Sequence, residues 1–122
     1  KGTNFDEVSI LGAARAISDR GLMVEASRPV MVDCSHGNSN KDHKNQPGVV
    51  RNVLDQIASR RYLTGFMIES NINEGRQDWV AGKELQYGTS ITDACVGWEE
   101  TERLLRETAR AVYPKRYLSA KA

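Results

Sequence analysis

Three side chains of this 122-residue chain are of types that hold a divalent cation, and each follows a segment able to present it: His36, Glu69 and Asp93. His36 lies in Met31-Val32-Asp33-Cys34-Ser35-His36-Gly37-Asn38-Ser39, where an apolar run passes into a polar, glycine-containing loop. A second apolar run, Leu63 to Ile68, ends in Glu69-Ser70, and Asp93 comes after the long polar segment that follows. If the two runs are parallel strands, residues just past their carboxyl ends emerge on one face, where α/β proteins place ligands and chemistry. One imidazole nitrogen with two carboxylates suits manganese, iron, cobalt or zinc and leaves positions open for substrate.

Each residue also has an ordinary structural explanation. A histidine in a polar loop commonly faces solvent, which is the expectation for His43. Glu69 at a strand end can pair with any nearby cation. Ser90-x-x-Asp93 reads as a capping box, with the carboxylate complementing a helix dipole. Asp33, inside an apolar run, needs a partner if buried and would then orient His36 or a neighbour. Lys41 and Lys44, just before a helix start, read as a solvated loop more readily than an anion site. Cys34 and Trp98 read as core residues.

The elements that must position these groups follow from periodicity. Asn4-Phe5-Asp6-Glu7 predicts a capped helix over residues 5–19, with Val8, Leu11, Ala14 and Ile17 inward and Gly21 as its stop. Residues 29–33 predict a strand covered on both faces, and 35–46 a loop. A helix from Pro47 would bury Val49, Val50, Val53, Leu54 and Ile57. Residues 62–68 predict the second strand and 71–89 a long glycine-dotted loop. The last helix is expected over 90–112, with Trp98, Thr101, Leu105, Thr108 and Val112 on its buried stripe. Strand, covering helix and strand imply parallel pairing, yet two strands alone make no stable sheet. The chain, which lacks an initiator methionine, is therefore expected to be a piece of a larger sheet.

Composition narrows the class. Hydrophobic residues at 39% and charged residues at 27% are those of a soluble globular chain. Seventeen basic and sixteen acidic side chains, net +1, offer no clustered basic face for nucleic acid. No apolar stretch approaches the ~20 residues that cross a bilayer, and the first residues contain no hydrophobic leader. Two cysteines outside any CxxC pair fit a reduced, cytoplasmic protein.

Three strings are more specific than any of this. Asp33-Cys34-Ser35-His36-Gly37-Asn38-Ser39-Asn40-Lys41, Gly65-Phe66-Met67-Ile68-Glu69-Ser70 and Tyr87-Gly88-Thr89-Ser90-Ile91-Thr92-Asp93-Ala94-Cys95-Val96-Gly97-Trp98-Glu99 occur in order, with Glu74-Gly75-Arg76-Gln77 between them. Together they resemble type I 3-deoxy-D-arabino-heptulosonate 7-phosphate (DAHP) synthase, over essentially all 122 residues. The resemblance implies a (β/α)₈ TIM barrel, of which residues 1–122 would be the C-terminal arc: helix 6, strand 7, helix 7, strand 8 and helix 8. It implies the transferase reaction that opens the shikimate pathway to aromatic amino acids. In it, phosphoenolpyruvate condenses with erythrose 4-phosphate, giving DAHP and phosphate. His36, Glu69 and Asp93 would be metal ligands, with His36 and Asp93 also catalytic, and the cofactor a divalent Mn, Fe, Co or Zn ion. The family's ligand cysteine and its phosphoenolpyruvate clamps lie upstream, and neither Cys34 nor Cys95 matches that cysteine. The isolated chain is therefore expected to be inactive and to associate into homo-oligomers through uncovered apolar surface. A competing reading is a self-associating module without catalysis. Another phosphoenolpyruvate-condensing synthase is disfavoured by the Ser90 to Trp98 string.

Overall fold

Two short parallel strands alternate with three helices in the computed structural model, which describes residues 2–22, 29–59 and 62–113. The first helix, α1 (Glu7–Ser18), is capped by Asp6, whose carboxylate accepts from the Ser9 backbone N–H at 3.0 Å. Asn4, expected as the cap, instead has its backbone N–H donated to Asn38 Oδ1 at 2.7 Å. The helix ends at Ser18, and the turn that stops it contains the expected Gly21, whose φ of +68° suits a residue without Cβ. Its inward positions are Ile10 and Ala14, while Val8 is 79% exposed. Residue 8, expected inward, therefore falls off the buried stripe.

Strand β1 (Val30–Asp33) pairs in parallel with β2 (Leu63–Met67), as the strand–helix–strand order requires. Val32 lies beside Phe66 and Asp33 beside Met67, with one irregularity between Val30 and Met31. The strands are not covered on both faces by the described residues. Val32 and Leu63 point into the core, whereas Met31 is 62% exposed and Met67 is also uncovered. The apolar residues without alternation thus mark two faces, only one of which this segment fills.

The connection between the strands is a single 3₁₀ turn, His43–Asn45, running into α2 (Gln46–Ser59). The predicted stripe is the buried one: Val49, Val50, Val53 and Leu54, with Ile57 partly buried. It packs on β2 and on the last helix, forming one cluster with Ile10, Val32, Cys34, Leu63 and Leu104.

The last helix, α3, spans Trp98–Val112 rather than beginning near residue 90. Ser90, Cys95 and Val96 are held instead in bridges to Arg76, Gly75 and Ser70, with a bend over 91–93 between them. Its buried stripe is turned relative to expectation. Leu104 and Thr101 face inward, whereas Trp98, Leu105 and Val112 are exposed. Thr101 is buried with its hydroxyl satisfied, donating to the Gly97 carbonyl at 2.9 Å. On the outer side Arg51 of α2 meets Glu107 of α3 at 3.0 Å, an exposed pair of small energetic weight.

Candidate metal centre

The carboxyl ends of both strands and the segment before α3 meet at one place. β1 stays zipped to β2 one residue beyond its end, where the Cys34 N–H donates to the Met67 carbonyl at 2.8 Å. Directly after, the chain coils into a tight loop. Asn38 Nδ2 returns to the Asp33 carbonyl at 2.8 Å, and the Lys41 N–H reaches the His36 carbonyl at 2.8 Å. His36 itself has φ +46°, a left-handed conformation that costs a branched-Cα residue energy and is tolerated where surroundings fix it.

That turn aims the imidazole across the strand ends. Its Nε2 lies 3.3 Å from Glu69 Oε1 and 3.4 Å from Asp93 Oδ2. Ligand atoms of the three residues all lie within 4.8 Å of one another. Metal–ligand bonds of about 2.0–2.2 Å place neighbouring ligand atoms about 3.0–3.5 Å apart, which is the spacing found on both sides of the histidine. His36, Glu69 and Asp93 also line one hollow of about 160 Å³ together with Ser35, Ser39, Lys41, Gln46 and Ala94.

The protonation of His36 is set from behind. Nδ1 is 2.7 Å from Asp33 Oδ2, and an ionised carboxylate only accepts, so Nδ1 carries the proton. The other Asp33 oxygen accepts from the Ser35 N–H at 2.8 Å and the Ser35 hydroxyl at 2.5 Å. Burial pushes the Asp33 carboxyl up, but the Ser35 hydrogen bonds and then His36 outweigh it, leaving it below its ordinary value. The hydrogen bond to Asp33 holds the His36 imidazole above its ordinary value. Slight desolvation opposes it, and the charges of Asp33, Glu69 and Asp93 add to it. In its neutral form the ring turns its Nε2 lone pair toward two carboxylates. Three acceptors face one another there, an arrangement that a cation resolves. The residues fit a divalent metal by donor type, by spacing and by tautomer.

All three sequence-predicted ligands converge, and Asp33 is where an orienting group must be. Asp93 belongs to the bridged segment before α3 and not to a helical first turn, so the capping explanation for it does not hold. Cys34 and Cys95 are buried free thiols, and burial pushes the Cys34 thiol up to about 12. His43, expected in solvent, has a side chain only 14% exposed. Its ring nitrogens lie 3.8 and 3.9 Å from carboxylate oxygens of Asp42 and Glu74. It lines a larger hollow of about 480 Å³ between the starts of α2 and α3. There Arg51 and Arg103 pair with Glu107 and Glu100. Sequence reading also missed Gln77. Its amide donates to the carbonyls of Gln86 and Thr89 and accepts from the Gln86 N–H, folding the long loop on itself.

Known proteins resemble this chain over most of its length. A family model described as the DAHP synthetase I family matches residues 2–106. The chain is 50% identical over 119 residues to the phenylalanine-inhibited phospho-2-dehydro-3-deoxyheptonate aldolase of Saccharomyces cerevisiae, covering 94% of this chain and 32% of that protein. It is 46% identical over 110 residues to the Tyr-sensitive aldolase of Escherichia coli, covering 88% of this chain and 30% of that one. A solved phospho-2-dehydro-3-deoxyheptonate aldolase from Francisella tularensis SCHU S4 superimposes with a TM-score of 0.83 at 40% identity. That match covers 91% of this chain and 31% of that structure. The chain thus spans about a third of the length of the relatives it matches.

Proposed function

Because the chain belongs to the DAHP synthetase I family, we propose that it is the metal-bearing C-terminal arc of a DAHP synthase barrel. In that arc α1 is helix 6, β1 and α2 are the seventh strand and helix, and β2 and α3 the eighth. The reaction is the condensation of phosphoenolpyruvate with erythrose 4-phosphate, with release of phosphate. Support comes from the parallel β1–β2 pair, whose uncovered face suits neighbours in a closed barrel. The observation that carries the reading is His36 Nε2 set 3.3 and 3.4 Å from Glu69 and Asp93 with its Nδ1 proton held by Asp33.

In this reading His36, Glu69 and Asp93 hold a divalent cation, of the Mn, Fe, Co or Zn kind, that supplies Lewis acidity to the aldehyde of erythrose 4-phosphate. The chain's own residues do the rest of the local work. Asp33 keeps the Nδ1 proton in place so that Nε2 stays a donor to the cation. Asp93, the more exposed carboxylate, is free on its outer side to position a substrate hydroxyl. The Lys41 ammonium on the rim of the same hollow favours anionic substrate.

The experiment is a discontinuous assay of DAHP formation by the intact protein, before and after chelation and metal return. The expected result is activity that chelation removes and divalent metal restores in the parent but not in His36→Ala. Activity in His36→Ala equal to the parent's would contradict the assignment. The 122 residues by themselves are expected to be inactive, because they supply three of the family's four ligands and none of its upstream phosphate clamps. Association of the isolated segment through Met31 and Met67 is a second proposal, checked by light scattering.

A further inference from the structure

One buried polar side chain beside the site has no part in the ligand set. Gln46, the first residue of α2, is 1% exposed and among the largest fully buried side chains. Burying a carboxamide is costly unless both its ends are bonded, and here both bond to one residue. Gln46 Oε1 accepts from the Glu69 backbone N–H at 2.9 Å, and Gln46 Nε2 donates to the Glu69 carbonyl at 3.3 Å. The carboxamide thus takes the place a neighbouring strand's peptide group would occupy, two residues beyond Met67, where the β1–β2 ladder ends.

Its connections reach all three ligand segments. The preceding residue, Asn45, donates to the Ser39 carbonyl at 3.0 Å, fixing α2's start to the His36 loop. The Glu69 carbonyl also accepts from the Val96 N–H at 2.9 Å, and Asn71 N–H donates to the Val96 carbonyl at 3.0 Å, joining the segment of Asp93. Glu69 has no helix or ladder of its own at this point, so its backbone is located by Gln46 on one side and Val96 on the other. Gln46 further lines the 160 Å³ hollow.

We infer that Gln46 is a positioning residue for metal binding: it fixes the Glu69 backbone so that this carboxylate meets His36 and Asp93 at ligand spacing before any cation arrives. The inference rests on the metal reading of His36, Glu69 and Asp93. Gln46→Met keeps the length and volume of the side chain and removes both hydrogen bonds. A lost partner behind a ligand costs about 10–100-fold in metal affinity.

The test is Mn²⁺ titration calorimetry on the intact parent, Gln46→Met and His36→Ala, with metal-free melting temperatures measured in parallel. The expected result is weakening of at least about tenfold in folded Gln46→Met and loss of binding in His36→Ala. A merely structural role would lower the metal-free melting temperature and leave the dissociation constant of the folded protein unchanged, and that result overturns the inference while leaving the metal site intact. Binding by His36→Ala equal to the parent's removes the metal reading and this inference with it. Amide exchange in the metal-free parent provides a check that needs no variant. The Glu69 amide is expected to be protected like the ladder amide of Cys34, and exchange at the rate of exposed loop amides overturns the clamp.

Discussion

Replacing Asp33 by asparagine isolates the orienting role from the ligand set. Asp33 Oδ1 accepts two hydrogen bonds from Ser35, at 2.8 and 2.5 Å. In Asp33→Asn that position must be the amide oxygen, since an NH₂ there would face two donors. The NH₂ then takes the Oδ2 position, 2.7 Å from His36 Nδ1 in the parent. It donates into Nδ1 and drives the ring proton to Nε2, the tautomer that cannot ligate. Recovering the ligating tautomer forfeits the amide's hydrogen bond to Nδ1 and sets two donors face to face, which costs about 1–3 kcal/mol. Both side chains are roughly half exposed, so water repays part of this and the lower half of the range applies. At 1.4 kcal/mol per decade that is roughly 5–30-fold in metal affinity. The pH dependence has a definite sign. The parent's His36 pKa is raised by Asp33, so protons compete with metal to a higher pH in the parent than in the variant. The gap between them is therefore widest above that pKa and narrows in acid. Calorimetric Mn²⁺ titration across pH, with nitrogen NMR of the imidazole, reads both affinity and tautomer. Affinity in Asp33→Asn within twofold of the parent, with Nε2 still unprotonated, would show that Asp33 does not set the tautomer.

Four further outcomes follow from particular residues. Leu104→Ala, which empties a fully buried position of α3, is expected to cost about 2–5 kcal/mol in denaturant unfolding of the intact protein. Gly88→Ala places a Cβ 2.8 Å from Ile72 Cβ on a backbone at φ +75°; left-handed strain and overpacking together cost roughly 2–5 kcal/mol, read as a fall in melting temperature. Cys34, with its thiol at about 12, carries roughly one thiolate in 10⁴ at pH 8, so a thiol reagent is expected to label it only after unfolding. In the metal-free protein the Asp33–His36 pair stabilises between the lowered Asp33 and raised His36 pKa values. Its contribution is lost as pH falls through the first or rises through the second, and it amounts to no more than a half-exposed pair's ~0–1 kcal/mol, measurable as the difference in pH–melting profiles between parent and Asp33→Asn.

Local pattern made α2 and the β1–β2 order legible because their signals are short-range. Val49, Val50, Val53 and Leu54 recur at helical spacing, and a strand–helix–strand order leaves little choice but parallel pairing. The convergence of His36 and Glu69 followed from the same parallelism, and that of Asp93 from the chain's return to the same face. What stayed hidden depends on partners distant in sequence. Ser90-x-x-Asp93 has the pattern of a helix start, but its backbone is claimed by Gly75, Arg76 and Ser70, so the helix waits until Trp98. Asn4 and Asp6 are equally good caps by type, and Asn38 decides between them by engaging Asn4. His43 is covered where the Glu74 segment approaches. Gln46 and Gln77 are ordinary polar residues in the sequence, and only their burial or multiple bonds single them out.

The central claim is that His36, Glu69 and Asp93 together bind one divalent cation through His36 Nε2. Anomalous diffraction from crystals of the intact protein loaded with Mn²⁺ tests it most directly. One peak is expected within about 2.0–2.3 Å of His36 Nε2 and of a carboxylate oxygen from both Glu69 and Asp93, with Asp33 still on Nδ1. A manganese ion held elsewhere, or bound through Nδ1 with Asp33 displaced, would contradict it.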